Sequence, residues 1–103
     1  MVVEYIRYTI PADQSDAFES AYGAAGSALA ADEHCLAYEI TRCVEEPTSY
    51  VVRLEWDSVD GHEQGFRHGA NFPPFLEAVK PFIGQIEEMR HYAPALEAWR
   101  RET

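Results

Sequence analysis

Histidines are the residues of this sequence best suited to proton transfer at neutral pH. His62 falls within a predicted helix, among apolar residues at helical spacing, and its imidazole could act as a general acid or base. The same apolar surroundings fit a histidine that only packs or caps, so both interpretations stay open. His91 lies near the end of a predicted strand and could reach the same site, whereas His34 and His68 are expected on the surface.

A second group of residues combines arginine, tyrosine and glutamate on one face of the predicted sheet. Its members are Tyr5, Arg7, Arg53, Glu55 and Arg90. In a dry cavity, Arg90 or Arg53 would stabilise an enolate or phenolate, and Tyr5 could donate a hydrogen bond. The alternative is structural, because the same arginines could pair with glutamates on neighbouring strands as a cross-strand ladder.

Motifs for metals and nucleotides are missing from the sequence, which contains no H-x-x-x-H, C-x-x-C or H-E-x-x-H spacing. The segment from Gly61 to Gly65 falls within a predicted helix and lacks the dinucleotide-binding pattern. Cys35 and Cys43 are too far apart along one predicted strand to bridge each other, which indicates free thiols in a reducing compartment. We therefore expect no metal, no cofactor and a cytoplasmic location.

Composition excludes several other classes of function. The chain has 103 residues, with 18 acidic and 8 basic side chains and a net charge of −10. This charge disfavours nucleic acid and anionic membranes, since both require a positive surface. No apolar run is long enough to cross a bilayer, and the first residues enter an alternating strand directly, so we expect no signal peptide.

The pattern of apolar residues predicts the element order β-α-β-β-α-α-β. Period-two alternation predicts strands over residues 2–10, 35–44, 49–57 and 85–92. Helical spacing predicts helices over residues 13–31, 58–68 and 71–81, with Asp13 or Ser15, Ser58 and Asn71 as caps and Pro81 as the final stop. The rules for crossovers and hairpins then favour a ferredoxin-like α+β domain over residues 1–93, with a tail at 94–103 that is either a helical turn or irregular.

The two faces of this four-stranded antiparallel sheet should differ. The face covered by helices is expected to carry the larger apolar side chains: Ile6, Tyr8, Leu36, Tyr38, Ile40, Val52, Leu54 and Trp56. The opposite face, around Val3, Tyr5 and Val51, is half apolar and too hydrophobic to be left bare. A second copy packed sheet against sheet would bury it, which predicts a homodimer.

The segment EWDSVDGHEQGFR followed by NFPPFLEAVKPFI resembles the antibiotic biosynthesis monooxygenase family, also called quinol-monooxygenase-like proteins. The resemblance covers about residues 2–92 and rests on Glu55, Trp56, Ser58, His62, Phe72 and Phe75. It implies a dimeric α+β barrel and oxidation of a small aromatic or quinol by O2 without a cofactor. Together with the residues considered above, the resemblance predicts catalytic roles for His62, Arg90 and Tyr5, and substrate binding by Arg7, Arg53, Glu55, Trp56, Phe66 and Phe72.

Two alternatives accompany this interpretation. Haem degradation, another activity of the family, is disfavoured because the positions of its helical tryptophan and histidine read Gly65-Phe66 and Phe75-Leu76 here. A dimeric module that only binds a small ligand, or only serves as a scaffold, would share the same fold. In either case, we expect one cavity per protomer between the sheet and the helices after Asp57, with His62 or Arg90 on its wall.

Overall fold

Four strands form one antiparallel sheet in the computed structural model of the protein, which describes residues 1–102. They are β1 (Val2–Thr9), β2 (Cys35–Arg42), β3 (Ser49–Trp56) and β4 (Ile86–Tyr92). Their spatial order is β2-β3-β1-β4, so the hairpin strands β2 and β3 are neighbours and β1 is central. The predicted ferredoxin-like α+β architecture is confirmed.

The first helix, α1 (Ser15–Ala31), packs on one face of the sheet through its apolar stripe. Phe18, Tyr22, Ala25 and Leu29 recur at helical spacing and are fully buried. The sequence predicts that Asp13 or Ser15 caps this helix, but neither residue does so. A 3-10 helix (Ala12–Gln14) leads into it instead, and no side chain bonds to its first amides. Among the described residues, no helix could span a bilayer.

The predicted helix over residues 58–68 is a short π-helix (Gly61–Phe66) entered through one turn. Ser58 starts it as predicted, since its hydroxyl accepts the Gly61 amide at 2.8 Å. The next helix, α2 (Phe72–Val79), follows Asn71, whose side-chain amide donates to Asp32 rather than capping the helix. Pro81 does not stop the helical path, because its missing amide is tolerated in the first turn of a 3-10 helix (Lys80–Gln85) that leads into β4.

The face of the sheet under the helices contains most of the predicted core. Ile6, Tyr8, Val52, Leu54 and Trp56 are each at most 6% exposed, which confirms their predicted direction. Leu36 was predicted on this face but is 54% exposed, because the pairing of β2 with β3 shifts register between Cys35 and Ala37.

Tyr38, at the edge of the sheet, is half exposed and lies over α1. A side chain at Gly26 would overlap its hydroxyl group, so the glycine permits this close approach.

The opposite face of the sheet is open except where the tail crosses it. Residues 93–102 contain no helix or strand, and they form one side of a groove that also involves Val3, Tyr5 and Tyr92. Trp99 is 74% exposed and is covered only by the Arg101 guanidinium, so it does not anchor the tail. Thr103, the last residue of the predicted tail, lies outside the described residues.

The burial of Trp56 predicts a large loss of stability on truncation. Trp56→Ala should lower the free energy of unfolding by about 3–5 kcal/mol, the range for an emptied aromatic core position. Trp99→Ala, at an exposed position, is the matched control and should change it by less than about 0.5 kcal/mol. Urea unfolding followed by circular dichroism measures both, and equal effects of the two substitutions would contradict the assigned strand register.

Candidate active site

An apolar cleft of about 230 Å³ opens between α2 and the sheet. Its walls include Tyr22 from α1, Phe72, Phe75 and Val79 from α2, and Ile86 and Met89 from β4. The helical spacing of the α2 residues puts them on one side of the helix, facing the sheet. Arg67, just after the π-helix, is the one charged side chain in this lining among the described residues.

A smaller cavity of about 50 Å³ adjoins the cleft and shares Arg67, Phe72, Phe75 and Met89 with it. This inner cavity contains polar groups inside an otherwise apolar core. The Trp56 indole N–H donates to Glu4 Oε1 at 3.0 Å, and the His62 ring stacks on the indole with centroids 4.3 Å apart. Phe66 lies 5.0 Å from the same indole, centroid to centroid, and completes the aromatic wall.

Four separate elements bring the polar groups of the inner cavity together. Glu4 and His91 are directly opposite each other in the β1–β4 ladder, while Trp56 ends β3 and His62 comes from the π-helix. His62 Nδ1 is 2.8 Å from His91 Nε2, and His62 Nε2 is 3.6 Å from Glu4 Oε1. Glu4, His62 and His91 therefore form a chain with His62 in the middle.

Glu4, His62 and His91 are also the described residues whose donor atoms come near enough to share a metal ion, all within 4.8 Å of one another. The two nitrogens of His62 point to different neighbours, however, and one ring cannot direct both at a single ion. The arrangement therefore fits a hydrogen-bonded chain better than a set of ligands converging on one point.

Burial shifts the pKa values of the two innermost groups in opposite directions. Burial raises the pKa of Glu4 to about 7, and the Trp56 hydrogen bond opposes that shift. Burial lowers the pKa of His62 to about 4, and the nearby Arg67 and His91 add to this effect. At neutral pH the His62 ring is therefore uncharged and can accept a proton, and its contact with Glu4 is not an ion pair.

The structure brings together only some of the predicted site residues. His62, Trp56, Phe66 and Phe72 all line the inner cavity. The other predicted residues project from the opposite face of the sheet, because side chains alternate along a strand: Tyr5, Arg7, Arg53, Glu55 and Arg90. The prediction that these residues share one site with His62 is therefore wrong within one protomer.

On the opposite face, the arginines pair with carboxylates. Arg53 Nη1 is 2.6 Å from Glu55 Oε2, and Arg90 Nε is 3.7 Å from Glu88 Oε2. Each partner is two positions away on the same strand, so these contacts run along strands rather than across them. The sequence predicts His62 or Arg90 on the wall of the cavity. Arg90 is largely exposed on the opposite face, and His62 is the one that lines the cavity.

Two residues of the site were not among the predicted candidates. Glu4 had a signal in the sequence, since it is the charged position on the face of β1 that also carries Ile6 and Tyr8. Arg67 had none, because the end of a short helix does not reveal which cavity its side chains reach. His91, in contrast, does reach the site, as the sequence suggested it could.

His34 was expected on the surface but is partly buried. Its Nδ1 atom is 2.8 Å from Asp57 Oδ2, and the ring lies against Gly61 and Gly65 of the π-helix. The hydrogen bond to Asp57 raises the pKa of His34. This pair fastens the loop after α1 to the start of the helix that bears His62.

The opposed pKa shifts make the stability of the protein depend on pH in a way that substitutions can separate. The folded protein keeps the Glu4 proton where the unfolded chain has lost it, so Glu4 lowers the free energy of unfolding as pH rises from 4.5 to about 7. His62 raises the free energy of unfolding as pH rises from about 4 to 6.5, because in that range the imidazole is protonated in the unfolded chain but not in the folded protein. Each contribution is about 3 kcal/mol.

Relative to the wild type, Glu4→Gln should therefore make stability rise more steeply between pH 4.5 and 6.5. His62→Gln should make the free energy of unfolding fall with pH over the same interval, since the Glu4 contribution is then no longer opposed by that of His62. Urea unfolding at a series of pH values measures both slopes, and comparison with the wild type cancels the other titrating groups. Parallel pH curves for all three proteins would show that neither pKa is shifted.

Solved structures share this fold. A Bordetella bronchiseptica protein, assigned by name to the antibiotic biosynthesis monooxygenases, superposes with a TM-score of 0.80 over 92% of this chain and 97% of its own, at 22% identity. SnoaB, a cofactor-independent oxygenase from Streptomyces nogalater, gives a TM-score of 0.74 over 93% of this chain and 94% of its own, at 18% identity. The uncharacterized Bacillus subtilis protein YczJ is 22% identical over 73% of this chain and 79% of its own.

The sequence itself matches a known family. The sequence model of the family described as antibiotic biosynthesis monooxygenase matches residues 1–81. The match runs from β1 through α2 and so includes Glu4, Trp56, His62 and the aromatic residues of the cleft. This chain belongs to the antibiotic biosynthesis monooxygenase family.

Proposed function

We propose that this chain is a cytoplasmic, homodimeric monooxygenase that oxidises a small aromatic or quinol substrate with O2, without a metal or flavin. The observation that carries the proposal is the aromatic-lined cleft that ends at an uncharged, buried histidine, His62. Membership of a monooxygenase family supports the reaction class. The remaining support comes from how well the cleft and its few polar groups suit such a substrate.

The aromatic side chains where the cleft meets the inner cavity favour a flat, apolar ligand. Phe66 and Phe72 meet edge to face with centroids 5.6 Å apart, and Phe66 and Phe75 do so at 5.3 Å. Rings arranged in this way offer both faces and edges to an aromatic ligand. A volume of about 230 Å³ fits a small ring system and excludes a ligand as large as haem.

His62 is the uncharged nitrogen base at the inner end of the cleft, although its lowered pKa makes it a weak base. A quinol hydroxyl at the inner end of the cleft would lose its proton to the neutral ring, and the resulting anion would be stabilised by Arg67. This gives Arg67 the role that the sequence had suggested for Arg90 or Arg53, since those two lie on the other face. Arg67 is itself exposed to solvent, which limits the strength of that charge interaction.

The overall reaction conserves atoms and electrons without another reductant. The substrate anion gives one electron to O2, and the two radicals combine to form a peroxide at a ring carbon. The borrowed proton returns to the outer peroxide oxygen, and the ring carbon that bears the peroxide then loses its own hydrogen as the O–O bond breaks, which releases water and leaves a carbonyl. One atom of O2 thus enters the product and the other becomes water, and the quinol supplies both remaining electrons.

Oxygen uptake tests this function. With a panel of small hydroquinones, the wild type should consume O2, and His62→Ala should reduce kcat by about 10²–10⁴ as expected for loss of a general base. His68→Ala, which removes an exposed histidine outside the cleft, is the matched control and should retain full activity.

Full activity of the His62 variant would contradict the assigned base. Substrate binding without any O2 uptake would instead support the alternative, a dimeric module that only binds a small ligand.

The open face of the sheet supports the homodimer. The apolar surface there comes from Tyr5, Val51 and Tyr92, and the rings of Tyr5 and Tyr92 are in edge contact with centroids 5.5 Å apart. A second sheet packed on this face would cover these residues together with the Arg53–Glu55 ion pair, which lies beside Tyr5 on the central strands. In that arrangement, Tyr5 and Arg90 would act at the interface rather than in the cleft.

A charge placed on this face should separate the subunits. Val51→Asp should convert the dimer to a monomer, because burying an unpaired carboxylate in the interface is costly. Val44→Asp is the matched control, since Val44 is 88% exposed outside the sheet and should leave the dimer intact. Sedimentation velocity at micromolar concentration distinguishes the states, and a monomeric wild type would contradict the homodimer.

A further inference from the structure

We propose that Glu4, His62 and His91 form a proton relay between the inner cavity and the surface beside β4. The use of the relay in turnover rests on the proposed function, but its existence does not. The relay adds two residues, Glu4 and His91, to the proton chemistry of the site. Glu4 lines the inner cavity and would exchange a proton with its contents, whereas His91 acts only through His62.

The geometry of the chain runs from buried to accessible. Glu4 is 2% exposed and His62 is 4% exposed, whereas His91 is only partly buried. The β1–β4 ladder holds Glu4 and His91 opposite each other, and stacking on Trp56 holds the His62 ring between them. A proton at Glu4 therefore has a path outward that needs no opening of the aromatic wall.

Imidazole suits this central position because it binds a proton on one nitrogen while releasing one from the other. His62 Nδ1 is already at hydrogen-bond distance from His91 Nε2, at 2.8 Å. His62 Nε2 is 3.6 Å from Glu4 Oε1, so transfer on that side requires an approach of several tenths of an ångström. The π-helix that bears His62 contains two glycines and has little intrinsic helical stability, which makes a shift of that size inexpensive.

Each transfer is balanced. A proton leaves the Glu4 carboxyl for His62 Nε2, the Nδ1 proton of His62 passes to His91 Nε2, and the Nδ1 proton of His91 passes to water. Only O–H and N–H bonds form and break, and no electrons are exchanged. In the reverse direction the same chain would return the proton that is needed when water leaves the oxidised substrate.

The charged and titratable groups that face Glu4 come from every neighbouring element. They are Tyr8 on β1, Tyr22 on α1, Cys35 on β2, His91 on β4, and His62, Glu63 and Arg67 in and after the π-helix. The Trp56 N–H is a hydrogen-bond donor to Glu4 but does not titrate in this range. Of this set, only His62 and His91 offer two nitrogens each, as relay groups require.

Exchange of the His62 ring N–H with water tests the relay in the free protein, without any substrate. In ¹⁵N-labelled wild type the proton should exchange too fast to observe. In His91→Gln, which can keep a hydrogen bond to His62 but cannot pass a proton on, exchange should slow about tenfold or more, because it then needs local opening. His91→Phe should give the same slow exchange, and His68→Gln is the matched control and should exchange like the wild type.

Unchanged exchange in both His91 variants would overturn the proposal, provided that backbone amide exchange shows the fold intact. So would stoichiometric binding of Zn²⁺ by the wild type at micromolar concentration that is lost in Glu4→Gln, because the three residues would then be metal ligands. Neither result depends on O2 uptake. A protein that oxidises no quinol but shows slow exchange in the His91 variants would retain the relay and lose the proposed function.

Discussion

The hydrogen bond between the Trp56 indole and the Glu4 carboxyl is the contact on which the site depends. It joins β1 to β3 inside the core and satisfies a carboxyl group that would otherwise be buried without a partner, at a cost of several kcal/mol. The indole held in this way is the surface on which His62 stacks and against which Phe66 packs. One polar contact between two strands thus orients the histidine, the aromatic wall and the inner cavity.

The sheet and its main core could be predicted because alternation and burial agree there. Val52, Leu54 and Trp56 are fully buried and alternate with partly buried residues along β3, so the period alone gives their direction. The helical spacing of Phe72, Phe75 and Val79 similarly predicts the side of α2 that meets the sheet. At these positions local pattern and tertiary packing impose the same constraint.

The rest of the site depends on interactions that a local pattern does not contain. Leu36 is exposed because of a register shift in β2, and such an irregularity has no signature in the alternation itself. Which of Arg90 and His91 meets the cavity depends on how β4 pairs with β1, and the mixed polarity of β4 leaves both choices open. A π-helix also has no distinctive spacing at this length, so the direction of Arg67 could not be predicted.

The charge of the cleft differs from that of the molecule as a whole. The protein carries a net charge of −10, yet the described residues that line the cleft include a single cation, Arg67, and no carboxylate. At physiological ionic strength charges are screened over about 8 Å, so a ligand inside the cleft responds mainly to Arg67 rather than to distant acidic residues. The acidic surface can then maintain solubility without preventing an anion from forming inside the cleft.

His34 contacts Gly61 and Gly65, so the position of the π-helix, and with it the position of His62 in the cavity, depends on a residue that does not line the cavity. A side chain at Gly61 would overlap Asp57, and one at Gly65 would overlap the His34 ring, so either requires those side chains to turn away or the π-helix to shift outward. His62 would move with the helix and lose its stacking on the indole. The loop after α1 therefore works as a spacer, and variation in that loop would adjust the reach of the histidine without altering any residue that a ligand touches.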